Sequence, residues 1–148
     1  MRRIIPILIL LLLALTVLAE VKPIDQLKAE AEKADSGQQA KLYAEVAERL
    51  VEVADQQFTN GNAINGHATV QEILQYATKA HDSAISTRKK MKETEIHLRN
   101  TQRLLESLKR TLAAEDRPAL EEVEKKLAQF RQDILDTMFA PKPKKETK

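Results

Sequence analysis

The chain has no cysteine, no tryptophan and only three glycines in its 148 residues. Without cysteine, disulfide bonds, thiol catalysis, Cys-ligated zinc, attached c-type haem and a lipidated cysteine anchor are all excluded. Aromatic residues make up only 3% of the chain, while charged residues make up 31%. The abundant residues are instead Ala, Leu, Glu, Lys and Gln, which predict a helical domain with little material for a sheet.

The charge balance argues against nucleic acid as a partner. The formal net charge is +2 at pH 7. Removing Arg2 and Arg3, which lie in a segment that we expect to be cleaved, leaves 22 basic residues to balance the 22 acidic ones. A chain with balanced charge lacks the broad basic field that nucleic-acid-binding proteins carry. We therefore expect no nucleic-acid partner.

The first 19 residues have the form of a secretory signal peptide. Arg2 and Arg3 provide a basic start, and residues 4–18 are an uncharged and mostly aliphatic run. Small residues precede a cut after Ala19, so we expect export to the periplasm or the exterior. The alternative is an uncleaved membrane anchor at residues 4–18, although a membrane-spanning helix needs about 20 residues.

A seven-residue repeat runs through residues 69–112, a stretch of 44 residues without glycine or proline. Two positions of the repeat stay uncharged although the surrounding positions are rich in charge. This pattern is typical of a long helix that buries one stripe against other helices. A capping box at Thr69 and Glu72 predicts where that helix starts. The members of the stripe that we predict to form an interaction seam are Val70, Ile73, Ala77, Ala80, Ala84, Met91, Leu98, Leu105, Leu108 and Leu112.

The remaining chain divides at its Gly, Pro and Asn residues. Two Asn-Gly pairs predict a loop at residues 59–68, because both residue types tolerate positive φ. The expected order is a signal or anchor at 1–19, a spacer and short helix at 20–35, a helical bundle at 36–139 and a basic disordered tail at 140–148. Within the bundle we expect helices at about 37–58, 69–114 and 117–139.

These segments predict an all-α protein, an antiparallel helical bundle or long helical hairpin with coiled-coil-like heptad packing. Two arrangements are compatible with the helix lengths. In the first, residues 69–114 form a continuous spine with one helix on each half. In the second, the spine breaks in its middle and the pieces close into a compact bundle. The first arrangement leaves apolar surface exposed and favours self-association or a partner.

Candidate metal ligands are few. The Glu-x-x-His motif of di-iron bundles is absent, and no two histidines are three or four residues apart. Glu93 and His97 lie one helical turn apart, and with His81 they are the candidates for a metal or ligand site in the core. The alternative is that Glu93 and His97 form a solvated pair on a polar face. We expect no cofactor and no catalytic residue, since no nucleophile or phosphate-binding motif is present.

The densest basic run within the bundle lies at residues 88–92. Its four cations and three lysines of the tail are candidates for contact with anionic lipid, a polyanion or an acidic protein. These residues are Arg88, Lys89, Lys90, Lys92, Lys142, Lys144 and Lys145. The alternative for the helical run is an ordinary solvated face.

From the sequence we expect an exported, non-enzymatic helical protein that acts through protein–protein contacts, as a scaffold, adaptor or holdase-like factor. Its partner would be another protein or a second copy of the chain. Two alternatives remain: a bundle that binds a small ligand or metal, and an envelope protein anchored by residues 4–18 with its bundle outside. Tetratricopeptide repeats are excluded, because the chain shows no 34-residue period.

Overall fold

A computed structural model describes residues 21–141 of the chain. The predicted signal or anchor segment and the tail lysines Lys142, Lys144 and Lys145 lie outside the described residues. Within residues 21–141 the structure contains five helices and no strand. They are α1 (Ile24–Lys33), α2 (Gln39–Thr59), α3 (Ala63–Thr87), α4 (Met91–Thr111) and α5 (Arg117–Phe139). The prediction of an all-α helical bundle is confirmed, and none of the helices described is long and apolar enough to cross a membrane.

The prediction of one helix over residues 69–114 is wrong, because the chain turns at residues 88–90. Arg88 and Lys90 adopt left-handed backbone conformations with φ of 53° and 54°, which end α3 and start α4. The heptad stripe continues through the turn, so periodicity alone could not reveal it. The reversal allows both halves of the stripe to face the same interior, as in the compact arrangement.

The predicted start of this helix at Thr69 is also wrong. Helix α3 begins at Ala63, where the Asn62 side chain accepts a hydrogen bond from the Asn65 amide. Thr69 lies inside the helix and donates its hydroxyl to the Gln57 side chain at 2.6 Å. The predicted loop at residues 59–68 is reduced to residues 60–62, and Gly66 lies within α3. Packing explains why this helical position is a glycine. A Cβ there would come within 2.8 Å of the Phe58 ring.

Four long helices form the bundle. Helix α2 packs against α3 and α4, and α5 packs against the same two helices on the opposite side. The pairs α2/α5 and α3/α4 are therefore the two diagonals of the bundle. The turn at residues 88–90 connects diagonal partners across one end. Three small buried residues near this turn, Ala80, Ala84 and Thr94, let the connected helices converge.

Side-chain pairs between helices show that the chain runs up and down alternately. His67 contacts Asp116, and Arg88 contacts the Thr137 carbonyl, so α3 and α5 are parallel. Helices α4 and α5 are antiparallel, since Lys109 contacts Glu124 while Arg131 contacts Glu95. The short α1 lies over the α2–α3 edge and runs parallel to α3, because Lys28 pairs with Glu72 and Glu32 pairs with Lys79.

These directions define two poles. The N-terminal pole holds the start of α1 and the turns at residues 60–62 and 113–116, and the C-terminal pole holds the turn at 88–90 and the end of α5. At about 1.5 Å per residue, the 25 residues of α3 separate the poles by roughly 37 Å. The described chain therefore enters near one pole and leaves at the other.

The interior contains the predicted seam. All ten seam residues are buried, and the larger ones pack with aliphatic residues of α2 and α5 such as Leu50, Leu120, Leu127 and Ile134. One charge is buried among them: Glu95 on α4 is only 7% exposed and accepts from both Arg99 and Arg131. Because the carboxylate is paired on both oxygens, its burial does not leave an uncompensated charge.

The backbone at residue 90 gives a test of the turn. Glycine adopts the left-handed conformation without the steric penalty that lysine meets, so Lys90→Gly is expected to stabilise the protein by about 0.5–1 kcal/mol. Urea unfolding measures this change. The control is Lys89→Gly, where φ is not positive and the flexibility of glycine should destabilise. If both variants lost about 1 kcal/mol, residues 88–90 would be helical and the described turn wrong.

Candidate functional sites

The three candidate metal ligands do not converge. His81 on α3 faces Asp133 of α5 at 3.2 Å, whereas His97 on α4 faces Glu48 of α2 at 2.5 Å. Glu93 pairs with Lys90 of its own turn at 3.4 Å. Within residues 21–141, no group of three His, Asp or Glu side chains is arranged to hold a metal ion. The three residues are therefore not placed to bind one metal ion together.

The histidines instead connect separate elements through carboxylates. His67 contacts Asp116 at 2.7 Å, which ties α3 to the turn before α5. His81 and His97 do the same for the α3/α5 and α2/α4 pairs. Each histidine has one ring nitrogen that meets a carboxylate at least 49 positions away in the sequence, while the other ring nitrogen of His81 meets its neighbour Asp82 at 2.8 Å. Sequence reasoning missed these pairs, since nothing local to each histidine points to its partner.

The carboxyl group of Glu93 serves the start of α4. Its hydrogen bond with its own backbone amide is the largest cause that lowers the pKa of Glu93, and Lys90 and Lys41 lower it further. A carboxylate at this position satisfies an amide that the first helical turn leaves unpaired. Glu93 therefore belongs to the first turn of α4, where it pairs with Lys90 and not with His97.

The predicted basic run forms the turn at the C-terminal pole. Arg88 donates to the Thr137 carbonyl at 2.8 Å, which ties the turn to the end of α5. Lys89 lies against Gly37, where a Cβ would meet the lysine chain at 3.2 Å. Lys90 pairs with Glu93, while Lys89 and Lys92 have no ion pair among the described residues. Contact of this run with an anionic partner stays a prediction.

Both tyrosines of the chain lie in one cluster that holds α1 on the bundle. The ring centroids of Tyr43 and Tyr76 are 6.1 Å apart, and the Lys79 ammonium lies 5.2 Å from each. Glu32 of α1 receives a hydrogen bond from the Tyr43 hydroxyl at 3.1 Å and pairs with Lys79. This set, which we name the tyrosine cluster, joins α1 to both α2 and α3.

The protonation of the tyrosine cluster follows from these contacts. Burial raises the pKa of Tyr43, and the hydrogen bond to Glu32 raises it further. The bond from Lys79 is the largest cause that lowers the pKa of Glu32, and the same bond raises the pKa of Lys79. A lowered carboxyl pKa contributes stability at pH values above the ordinary pKa of the group, and this contribution is lost as the pH falls. A raised Lys or Tyr pKa contributes stability at pH values below the ordinary pKa, and this contribution is lost as the pH rises. The cluster therefore stabilises the docking of α1 between about pH 4.5 and 10.

The ultraviolet absorbance of tyrosinate can test this arrangement. In the Tyr76→Phe background, Tyr43 is the only tyrosine, and its titration midpoint is expected above the ordinary value of 10.0. Adding Glu32→Gln should lower the midpoint without restoring it fully, since burial is the larger cause. Glu30→Gln, also on α1, is the control. A midpoint that does not respond to Glu32→Gln would contradict the contact between α1 and Tyr43.

A concave surface lies between α2 and α4, and we name it the α2–α4 groove. It has a volume of about 420 Å³. Val51 of α2 and Leu108 of α4 are buried at its floor, while Leu104 of α4 is 45% exposed beside them. Glu52 and Asp55 stand on its α2 side. An apolar floor with an exposed leucine and charged edges is the usual composition of a protein-binding surface.

The groove was not among the sites predicted from the sequence. The signal was present, because Leu104 lies off the heptad stripe of α4 and still carries a large aliphatic side chain. Apart from Leu108 at the floor of the groove, the seam residues are enclosed by the other helices of the same chain.

The fold places the chain in the class of small all-α helical bundles with an additional N-terminal helix. Comparison with protein-family models, with curated proteins and with solved structures finds no match in any of the three.

Proposed function

We propose that the protein is an exported, non-enzymatic helical bundle that acts through protein–protein contacts as a scaffold, adaptor or holdase-like factor. The observation that carries this proposal is the α2–α4 groove with the half-exposed Leu104. In a bundle whose other large aliphatic residues on α4 are mostly buried, a leucine beside an open groove is suited to contact with a partner.

The filled interior favours recognition of a partner at the surface over binding of a ligand in the core. The seam positions are occupied by packed side chains, and the buried threonines Thr94 and Thr101 satisfy their hydroxyls within their own helix. The buried carboxylate Glu95 has two arginine partners. The core residues thus have their polar groups paired, and we assign recognition to the outer surface. We further propose that the seam packs in the knobs-into-holes manner that its heptad spacing favours.

The location of the protein is part of the proposal. We propose that residues 1–19 direct export and are removed after Ala19, which leaves the bundle in the periplasm or outside the cell. In the alternative, residues 4–18 remain as an anchor. The described chain starts near the N-terminal pole, so an anchor would hold that pole close to the membrane. The basic turn at residues 88–90, at the opposite pole, would then lie farther from the membrane.

Intact mass spectrometry tests export and cleavage together. Protein recovered from the envelope or medium of cells that express the full chain should have the mass of residues 20–148. Ala19→Arg is expected to block cleavage, because the peptidase requires a small residue before the cut. An unprocessed mass in wild type, with the protein in the membrane fraction, would favour the anchor. An unprocessed protein in the cytosol would contradict both forms of the proposal.

A photo-crosslinking amino acid at Leu104 tests whether the groove contacts protein. We expect covalent adducts with another polypeptide, the same chain included, in intact cells. The matched control is the same amino acid at Glu122, an exposed position of α5, which should give few adducts. Retained helicity of both variants by circular dichroism shows that the bundle is intact. Equal labelling at both positions, or none at Leu104, would overturn the proposed role of the groove.

A further inference from the structure

We infer that the partner of the α2–α4 groove is a second copy of this chain, related by a two-fold axis that runs along the groove. The inference deepens the proposed function, on which it rests, by naming one partner for the same surface. It depends on how the charges are distributed on the two helices that border the groove. When a second copy of this surface is rotated by 180°, its charges lie opposite charges of the other sign on the first copy.

The edge formed by α2 is acidic. Four carboxylates follow one another at spacings of three, four and three residues, which places them on one stripe of the helix. This acidic row consists of Glu45, Glu48, Glu52 and Asp55. Glu48 contacts His97 at 2.5 Å, and Asn100 donates to its carboxylate. Among the described residues, Glu45, Glu52 and Asp55 form no ion pair. Two cations also belong to this edge: Arg49 lines the groove, and Lys41 lies one turn before Glu45.

The edge formed by α4 carries the opposite charge. Beside the groove runs an uncharged stripe, Ile96, Asn100, Leu104, Ser107 and Thr111, spaced by one helical turn each. Beyond this stripe lies a mainly basic row, Lys92, Arg99, Arg103 and Arg110, with Glu106 between the last two. Glu95 and Glu106 pair in the same chain with Arg99 and Arg110, whereas Arg103 has no ion pair among the described residues.

A two-fold axis along the groove brings these edges into complementary contact. Rotation about such an axis places α4 of one copy over α2 of the other, so each acidic row meets a basic row. A two-fold axis across the groove would instead place α2 over α2, with like charges opposed. The complementary arrangement is isologous, because the same surface is used by both copies. It also brings Leu104 of each copy to the centre, where apolar contact contributes most.

The heights of the charges agree with this symmetry. Helices α2 and α4 run parallel, because α2 is antiparallel to α3, α4 is antiparallel to α5, and α3 and α5 are parallel. Glu48 lies level with His97 and Asn100. Glu52 and Arg103 both lie beside Leu104, at the same height on opposite edges. A rotation about the groove axis preserves height, so Glu52 of one copy faces Arg103 of the other. Both side chains are exposed and available for that contact.

The size of the surface is sufficient for a reversible dimer. Each helix has 21 residues and is about 31 Å long. Two adjacent helices present a face roughly 20 Å wide, which gives about 600 Å² per copy. The total of about 1,200 Å² lies at the lower end of specific interfaces. We therefore expect a dimer that forms in a concentration-dependent way.

Exchange of the two charges provides the test. Sedimentation velocity of protein purified after expression of the full chain should show a mass that rises towards twice that of the monomer with concentration. Glu52→Arg alone and Arg103→Glu alone each oppose like charges at two places. Each should therefore weaken dimerisation at least about tenfold. An equal mixture of the two variants restores opposite charges at both places, and should dimerise as well as wild type. The double variant should do the same.

Each alternative result overturns the inference. A wild-type monomer at all concentrations would do so, as would single variants that dimerise normally or a mixture that stays monomeric. Glu122→Arg on α5 is the control for a general effect of charge and should dimerise like wild type. Circular dichroism of each variant separates a lost interface from a lost fold. If the chain is monomeric while Leu104 still crosslinks to a different protein, the inference fails but the proposed function stands.

Discussion

The reversal of the chain at residues 88–90 is the constraint on which the rest of the structure depends. A straight continuation would leave the two halves of the seam on a rod, each covered by a single helix. The left-handed residues Arg88 and Lys90 direct α4 back along the bundle, so that four helices share one interior. The turn is also diagonal, which requires small buried residues such as Ala84 and Thr94 near it. The absence of bulky residues there is therefore a condition of closure.

Much of the architecture was predictable because it follows from periodic burial. The stripe from Val70 to Leu112 correctly identified the buried faces of α3 and α4, since a heptad pattern depends only on which side of a helix avoids water. The helices over about 37–58 and 117–139 were predicted from the same signal and lie close to α2 and α5. Burial predicts which residues lie inside, and it carries no information about whether the helix axis is interrupted.

The errors in predicting turns arose because the same residue types occur for different structural reasons. Asn65 and Gly66 suggested a turn, but the glycine is needed because the Phe58 ring occupies the space of a Cβ. Arg88 and Lys90 form a turn without the glycine or asparagine that usually marks one. The groove and the pairs of histidines with carboxylates depend on residues about 50 positions apart, whose proximity only the folded chain reveals. For the same reason the sequence could not show that the candidate ligands His81 and His97 face different helices.

The separation of the two ends of the described chain has a mechanical consequence. A force applied between Val21 and Pro141 would act nearly along the helix axes, because these residues lie towards opposite poles. Such a load shears the long helices against one another, which engages many side-chain contacts at once. Helix α1 would bear the load first, through only two buried residues, Leu27 and Ala31, and the tyrosine cluster. Under tension the protein would therefore lengthen in two stages, with α1 peeling away before the four-helix core yields.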